Sequence, residues 1–316
     1  MKQRSTVING RAAIVVSELG DISLKDTFEC GQAFRYEYLG NNDGFQEYMT
    51  VVNGRLIFVA QRTAGELVFF TDDEEFFERE LKGYFTLERD YALIREDIMK
   101  RTDSEWLREA ALAASGIAIL KQDPWETLFS FIVSQNNNIP RIRKIIRRLS
   151  VEYGENLAIT EGLDRCPLEK CEGVCPEVCK ECGACYSFPT ADAVVKEPER
   201  MLAANPGFRY RYLLCAAERV ASGETDLDRI AAEGRYEYTL EELKRITGVG
   251  DKVASCVALF GFANLEAFPI DVWMKRAIDR YFGGKLDPAT LGSYAGIAQQ
   301  YIFHKLRNLE EGKTNG

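Results

Sequence analysis

The chain has 316 residues, 46% hydrophobic and 28% charged, which is long enough for one large or two ordinary domains with real cores. A formal net charge of −9 argues against a protein that grips nucleic acid through a global positive field, and leaves only a local basic face for that purpose. Nothing near the amino terminus reads as a signal peptide and no apolar run suits a membrane span, so a cytoplasmic protein is expected, whose nine cysteines are thiols or metal ligands rather than bridges.

In chain order, the first part alternates in strand fashion over residues 12–17, 33–39 and 48–52, turns at Asn53-Gly54 into 55–60, and closes with 66–71. Asn-Gly between alternating runs predicts a tight hairpin. Helical spacing follows at 73–81, 91–97 and 104–114, and from Pro124 nearly everything reads as helix with short breaks. The prediction is an α+β fold, with an antiparallel β domain over 1–115 and an all-helical domain over 116–316, the latter carrying a Cys-rich insertion at about 163–189. Within the helical part, the run from Arg141 to Arg148 holds five basic residues on a helix whose Ile142, Ile145, Ile146 and Leu149 should face inward.

The most informative stretch runs from Leu243 to Asp271. Residues 241–246 read as a short helix, Thr247-Gly248-Val249-Gly250 as a hairpin, and 252–262 as an apolar and therefore buried helix. Glycines let the backbone turn sharply and approach a ligand, while the free N–H groups and positive dipole end of the next helix favour an anion such as a DNA phosphate. Lys252 sits on that helix's first turn, where desolvation and the dipole should both lower its pKa and favour a nucleophilic amine. Asp271 precedes a further helix over 272–281. Taken alone, Asp271 reads as an N-cap and Lys252 as a surface lysine; joined by the Gly-Val-Gly turn, they point to covalent chemistry at a sugar carbon of DNA.

This segment resembles the helix-hairpin-helix and Gly/Pro-Asp signature of a DNA glycosylase superfamily. Other blocks narrow the resemblance to the 8-oxoguanine DNA glycosylases: Cys30-Gly31-Gln32-Ala33-Phe34-Arg35, the block from Gln122 to Arg141 with Asn136-Asn137-Asn138-Ile139 inside it, Asn205 to Tyr212, and Gly296 to Phe303. Five blocks in the family's order span about residues 25–305. The resemblance implies a bifunctional glycosylase and AP lyase that acts, as a monomer, on double-stranded DNA containing an oxidised purine, with a cleft between its two parts and no cofactor for catalysis. It assigns Lys252 and Asp271 to catalysis. The Gly31 carbonyl would then read the N7 proton that 8-oxoguanine has and guanine lacks, Gln299 the Watson–Crick edge, and Phe303 and Cys256 the two faces of the everted base. Asn136 would enter the gap that base leaves, and Arg141 would read the orphaned cytosine with Phe208 and Arg209 alongside, while Gly248, Val249 and Gly250 hold a phosphate. Two positions depart from the animal members: Trp273 stands where they usually have histidine, and Phe208 where they usually have tyrosine.

Six cysteines crowd the insertion, and Cys175, Cys179, Cys182 and Cys185 are the tightest set for a structural zinc. An iron–sulfur cluster at this place and reduced free thiols are the alternatives. His304, the sole histidine, reads as structural. Two other functions compete with the one above: a monofunctional glycosylase for alkylated bases, which needs the aspartate and water but no lysine, and a noncatalytic DNA-binding, metal-sensing protein.

Overall fold

The computed structural model describes residues 1–160 and 183–314. Six antiparallel strands form one sheet: β1 (Lys2–Ile8), β2 (Arg11–Ser17), β3 (Tyr36–Asn42), β4 (Phe45–Val52), β5 (Arg55–Gln61) and β6 (Leu67–Phe69), in the order β1-β2-β6-β5-β4-β3. Asn53 and Gly54 join β4 to β5 with φ of 47° and 74°, the two positive values that a two-residue hairpin loop needs, and Val52 pairs with Arg55. Asn9 and Gly10 repeat the device, at φ 51° and 76°, to add β1. The sequence reading missed β1 because this edge strand is mostly exposed and has no apolar alternation; the Asn9-Gly10 pair was the available signal.

One face of the sheet packs Ile14, Val16, Tyr48, Val59 and Phe69 into the main core, with Phe28, Phe77 and Phe85 against them. Phe28 comes from a short helix, α1 (Leu24–Glu29), that carries no long periodic pattern and begins where Ser23 accepts the Asp26 N–H. The helical body follows: α2 (Tyr91–Arg101), α3 (Glu105–Ala113), α4 (Pro124–Val133), α5 (Ile139–Tyr153), α6 (Tyr210–Ala221), α7 (Tyr236–Lys244), α8 (Asp251–Phe260), α9 (Val272–Tyr281) and α10 (Ala295–Thr314), with shorter helical turns between them. Both α4 and α8 are buried over most of their length, in keeping with their apolar sequences, and they pack on each other. The core is continuous from Ile14 to Leu306, so the sheet and the helices share one interior.

Two contacts fix the sheet part on the helical part. Gln32, 1% exposed, donates to the Thr27 and Ala118 carbonyls at 2.7 and 2.8 Å and accepts the Leu120 N–H at 2.8 Å, while Gln122 donates to its backbone carbonyl. Removing that side chain would orphan buried backbone groups at roughly 1–3 kcal/mol each. Arg35 pairs with Glu126 on α4 at 2.8 Å and also donates to the Tyr186 carbonyl. At the far end Trp106 of α3 stacks on Tyr281 of α9 at 4.3 Å. Among the described residues no helix is long and apolar enough to cross a membrane.

Candidate active site

The hairpin between α7 and α8 is built around Gly248, whose φ of +91° is open to glycine and strained for other residues. A Cβ there would also stand 2.5 Å from Cδ1 of Tyr212 on α6, so only a bare backbone fits against that ring. Gln135 donates to the Gly248 carbonyl at 3.0 Å, and Lys244 and Asp251 close the base of the hairpin at 2.6 Å. Gly250 is the N-cap of α8 and supplies no side-chain cap, which leaves first-turn amides of α8 without an acceptor among the described residues.

Lys252 follows two residues later and is half-buried. Its Nζ donates to Ser134 Oγ at 3.3 Å and lies 5.2 Å from the centre of the Phe131 ring. Both contacts come from the end of α4. Asp271 caps α9, accepting the Met274 N–H on Oδ1 at 2.8 Å, so its N-cap role is real and one oxygen is committed to it. Cys256, one helical turn beyond Lys252 and 4% exposed, reports on both groups. Its thiol pKa is pushed up, by burial first; the Lys252 charge and a hydrogen bond from Lys252 pull it down, and the Asp271 charge raises it. The Cys256 thiol therefore lies within electrostatic reach of both the amine and the carboxylate.

A second group of residues meets between the sheet part and α10. Gly31 has φ +83°, and a Cβ there would be 3.6 Å from Cε1 of Phe303 and 3.8 Å from Cδ1 of Ile139. Gln299, one turn before Phe303, is 4% exposed, and its Oε1 accepts from Gln300 Nε2 at 2.7 Å. The start of α10 is seated on the end of α8, where the Gly296 N–H donates to the Leu265 carbonyl at 2.7 Å and Leu259 packs against Gly296. Phe34 of the amino-terminal motif meets Phe131 edge-on at 5.5 Å, so that motif also supports the ring beneath Lys252.

Of the residues expected to face DNA, Asn136 is exposed with φ +46°, Arg141 is exposed on the first turn of α5, and Phe208 is 49% exposed. Arg209 and Val249 depart from expectation. Arg209 is 2% exposed and donates to the backbone carbonyls of Gln135, Asn136 and Pro206; its guanidinium pKa is held below the usual value by burial first and then by the Arg141 charge. It braces the Asn136 loop from inside instead of facing outward. The Val249 side chain is buried and its N–H is spent on the Ile246 carbonyl. Ser134 and Phe131 are the contacts that sequence reasoning missed, although both lie in the Gln122–Arg141 block; nothing in a single helix shows what its last turn meets.

Cys175, Cys179 and Cys182 lie outside the described residues. Cys185 is fully buried in a small cluster with Met49, Val51, Leu56 and Leu157. Among the described residues no group of three or more His, Cys, Asp or Glu is placed to hold a metal.

The family described as 8-oxoguanine DNA glycosylase, N-terminal domain, matches residues 14–128. The N-glycosylase/DNA lyase of Saccharomyces cerevisiae is 28% identical, over 97% of this chain and 87% of its own length. Among solved structures, MBOgg1 in complex with a low-affinity DNA ligand is 31% identical and superposes with a TM-score of 0.80 over 98% of this chain and 100% of the other. The Clostridium acetobutylicum 8-oxoguanine glycosylase/lyase, in complex with double-stranded DNA containing cytosine opposite 8-oxoG, is 29% identical with a TM-score of 0.80 over 98% and 99% of the two chains. With the hairpin, the lysine and the capping aspartate in place, and with relatives matched along nearly the whole length, this chain belongs to the 8-oxoguanine DNA glycosylase/lyase family of the helix-hairpin-helix superfamily.

Proposed function

We propose that this protein is a base-excision repair enzyme that everts 8-oxoguanine from double-stranded DNA, removes it and cuts the strand. The observation that carries the mechanism is the Lys252 amine on the first turn of the helix that leaves the hairpin, held on Ser134 Oγ at 3.3 Å, with Asp271 capping the following helix through one oxygen. The neutral Lys252 amine attacks C1′, the C1′–N9 bond breaks and the base leaves with the bonding pair to be protonated. The lysine nitrogen loses a proton and the sugar opens to an imine. Loss of a C2′ proton from the imine then expels the 3′ phosphate by β-elimination. Asp271 keeps one oxygen in its cap and turns the other to the positive charge that develops on the sugar and to the amine proton.

Selectivity rests on the Gly31 carbonyl. Facing N7–H of 8-oxoguanine it accepts a hydrogen bond; facing the N7 lone pair of guanine, two buried acceptors stay unpaired at about 1–3 kcal/mol. Gln299 reads the Watson–Crick edge, and Phe303 and Cys256 cover the faces of the base. Asn136 fills the vacated stack, with Arg141 and Phe208 on the orphaned partner, and Gly248 and Gly250 admit the phosphate. A glycosylase for alkylated bases has no use for the lysine, and a noncatalytic DNA-binding protein would show no turnover.

Borohydride trapping tests this. The wild type should form a covalent adduct with a duplex carrying 8-oxoguanine opposite cytosine, and Lys252→Gln should form none; an adduct in that variant removes Lys252 as nucleophile. Asp271→Asn, which preserves a capping side chain, should slow base release by about a hundredfold or more.

The cysteine cluster takes no part in this chemistry. We propose a structural zinc held by Cys175, Cys179, Cys182 and Cys185, supported by the spacing of these thiols alone. Elemental analysis should find one zinc per chain, and absence of both zinc and iron ends that proposal.

A further inference from the structure

We infer that Ser134 is a positioning residue for the amine of Lys252, an inference that rests on Lys252 being the nucleophile. Ser134 is the C-cap residue of α4, and its hydroxyl donates to the Phe131 carbonyl at 2.7 Å. A serine hydroxyl has one proton to give. With that proton committed, the oxygen meets Lys252 Nζ at 3.3 Å as an acceptor. The Phe131 ring, 5.2 Å from Nζ at its centroid, stands on another side of the same amine. Phe131 is itself wedged by Phe34 at 5.5 Å and stacked on Phe260 at 5.5 Å, so the end of α4 is a rigid platform rather than a surface that yields.

A lysine has a long flexible stem, and an amine left to wander over its rotamers spends little time in line with C1′. A fixed acceptor on one side and an aromatic face on another restrict it to the near-attack geometry. Cys256, on its own helix, also takes a hydrogen bond from this amine. The Ser134 hydroxyl is the polar contact that comes from α4, and it ties the nucleophile to the platform.

The test is single-turnover base release at saturating enzyme on an 8-oxoguanine duplex for Ser134→Ala, Ser134→Thr and Ser134→Cys. Ser134→Ala should be slower by roughly tenfold to a hundredfold, the loss expected of a misplaced reacting group, with unchanged affinity for a duplex containing a stable abasic analogue. Ser134→Thr, which keeps the hydroxyl, should restore the rate, a rescue that a purely structural role for the helix end would not produce. If Ser134→Ala does not fold, Ser134→Cys, of similar size but a weak acceptor, should show the same loss. A wild-type rate in Ser134→Ala and Ser134→Cys, or a loss confined to DNA affinity, would overturn the inference. Lys252→Gln is trapped alongside: no adduct there with a normal Ser134→Ala overturns the inference alone, whereas an adduct there removes the nucleophile assignment and Ser134 with it.

Discussion

Gly248 and Gly250 stand two residues apart in the hairpin and answer to opposite constraints. Gly248 has a positive φ and no room for a Cβ beside Tyr212; Gly250, at φ −96° and ψ −176°, has an extended backbone that any residue adopts and no heavy atom within 4 Å of a Cβ. Gly248→Ala should therefore cost stability, about 2 kcal/mol or more from strain plus overpacking. Gly250→Ala should cost under about 1 kcal/mol, the difference between glycine and alanine as an N-cap. Its methyl group would instead project into the open space a phosphate must enter, so DNA affinity should fall while the fold holds. Denaturant midpoints and binding titrations on the two variants separate these effects, and an affinity loss in Gly250→Ala no larger than its stability loss would show that the hairpin does not hold a phosphate. Tyr212 explains part of the Asn205–Tyr212 block as well: it packs the hairpin, while its neighbour Arg209 braces the Asn136 loop.

The helix α5 shows how one basic run becomes two faces. Arg143 and Arg147, four residues apart, both reach Glu37 on β3, and Arg143 lies 4.2 Å over the Tyr36 ring. Arg141, Lys144 and Arg148 form another stripe at helical spacing, all exposed and with no ion pair among the described residues. The inward Ile142, Ile145, Ile146 and Leu149 were readable from the 3.6-residue period, and so were α9 and the β4–β5 hairpin, because each carries its signal within a few neighbouring residues. The split of the basic residues was not readable, since it depends on where a strand a hundred positions earlier comes to lie. The same reason hid Ser134 beneath Lys252 and turned Arg209 inward. That Lys252 and Asp271 stand at the starts of α8 and α9 was legible, because each start carries its own local signal, a glycine turn and a capping carboxylate.

At the scale of the whole molecule, a chain of net charge −9 must hold a polyanion, and the exposed cations of α5 without an ion pair among the described residues are available for it. The exposed stripe of α5 begins at Arg141, on the first turn after the Asn136 loop, and Lys144 and Arg148 extend it away from that loop. Each of its cations that meets a phosphate releases counterions, which makes binding fall with salt in proportion to the number of contacts. Lys144→Ala and Arg148→Ala should each weaken nonspecific DNA binding and lower the slope of log affinity against log salt by about one. Arg143→Gln should leave that slope unchanged, because its charge is already spent on Glu37 and joins the helical body to the sheet; its cost should appear in thermal stability instead. Titrations at several salt concentrations decide between the two stripes. Equal slopes for wild type, Lys144→Ala and Arg148→Ala would mean that the duplex runs over another face, and the phosphate track would then have to be sought beside the hairpin alone.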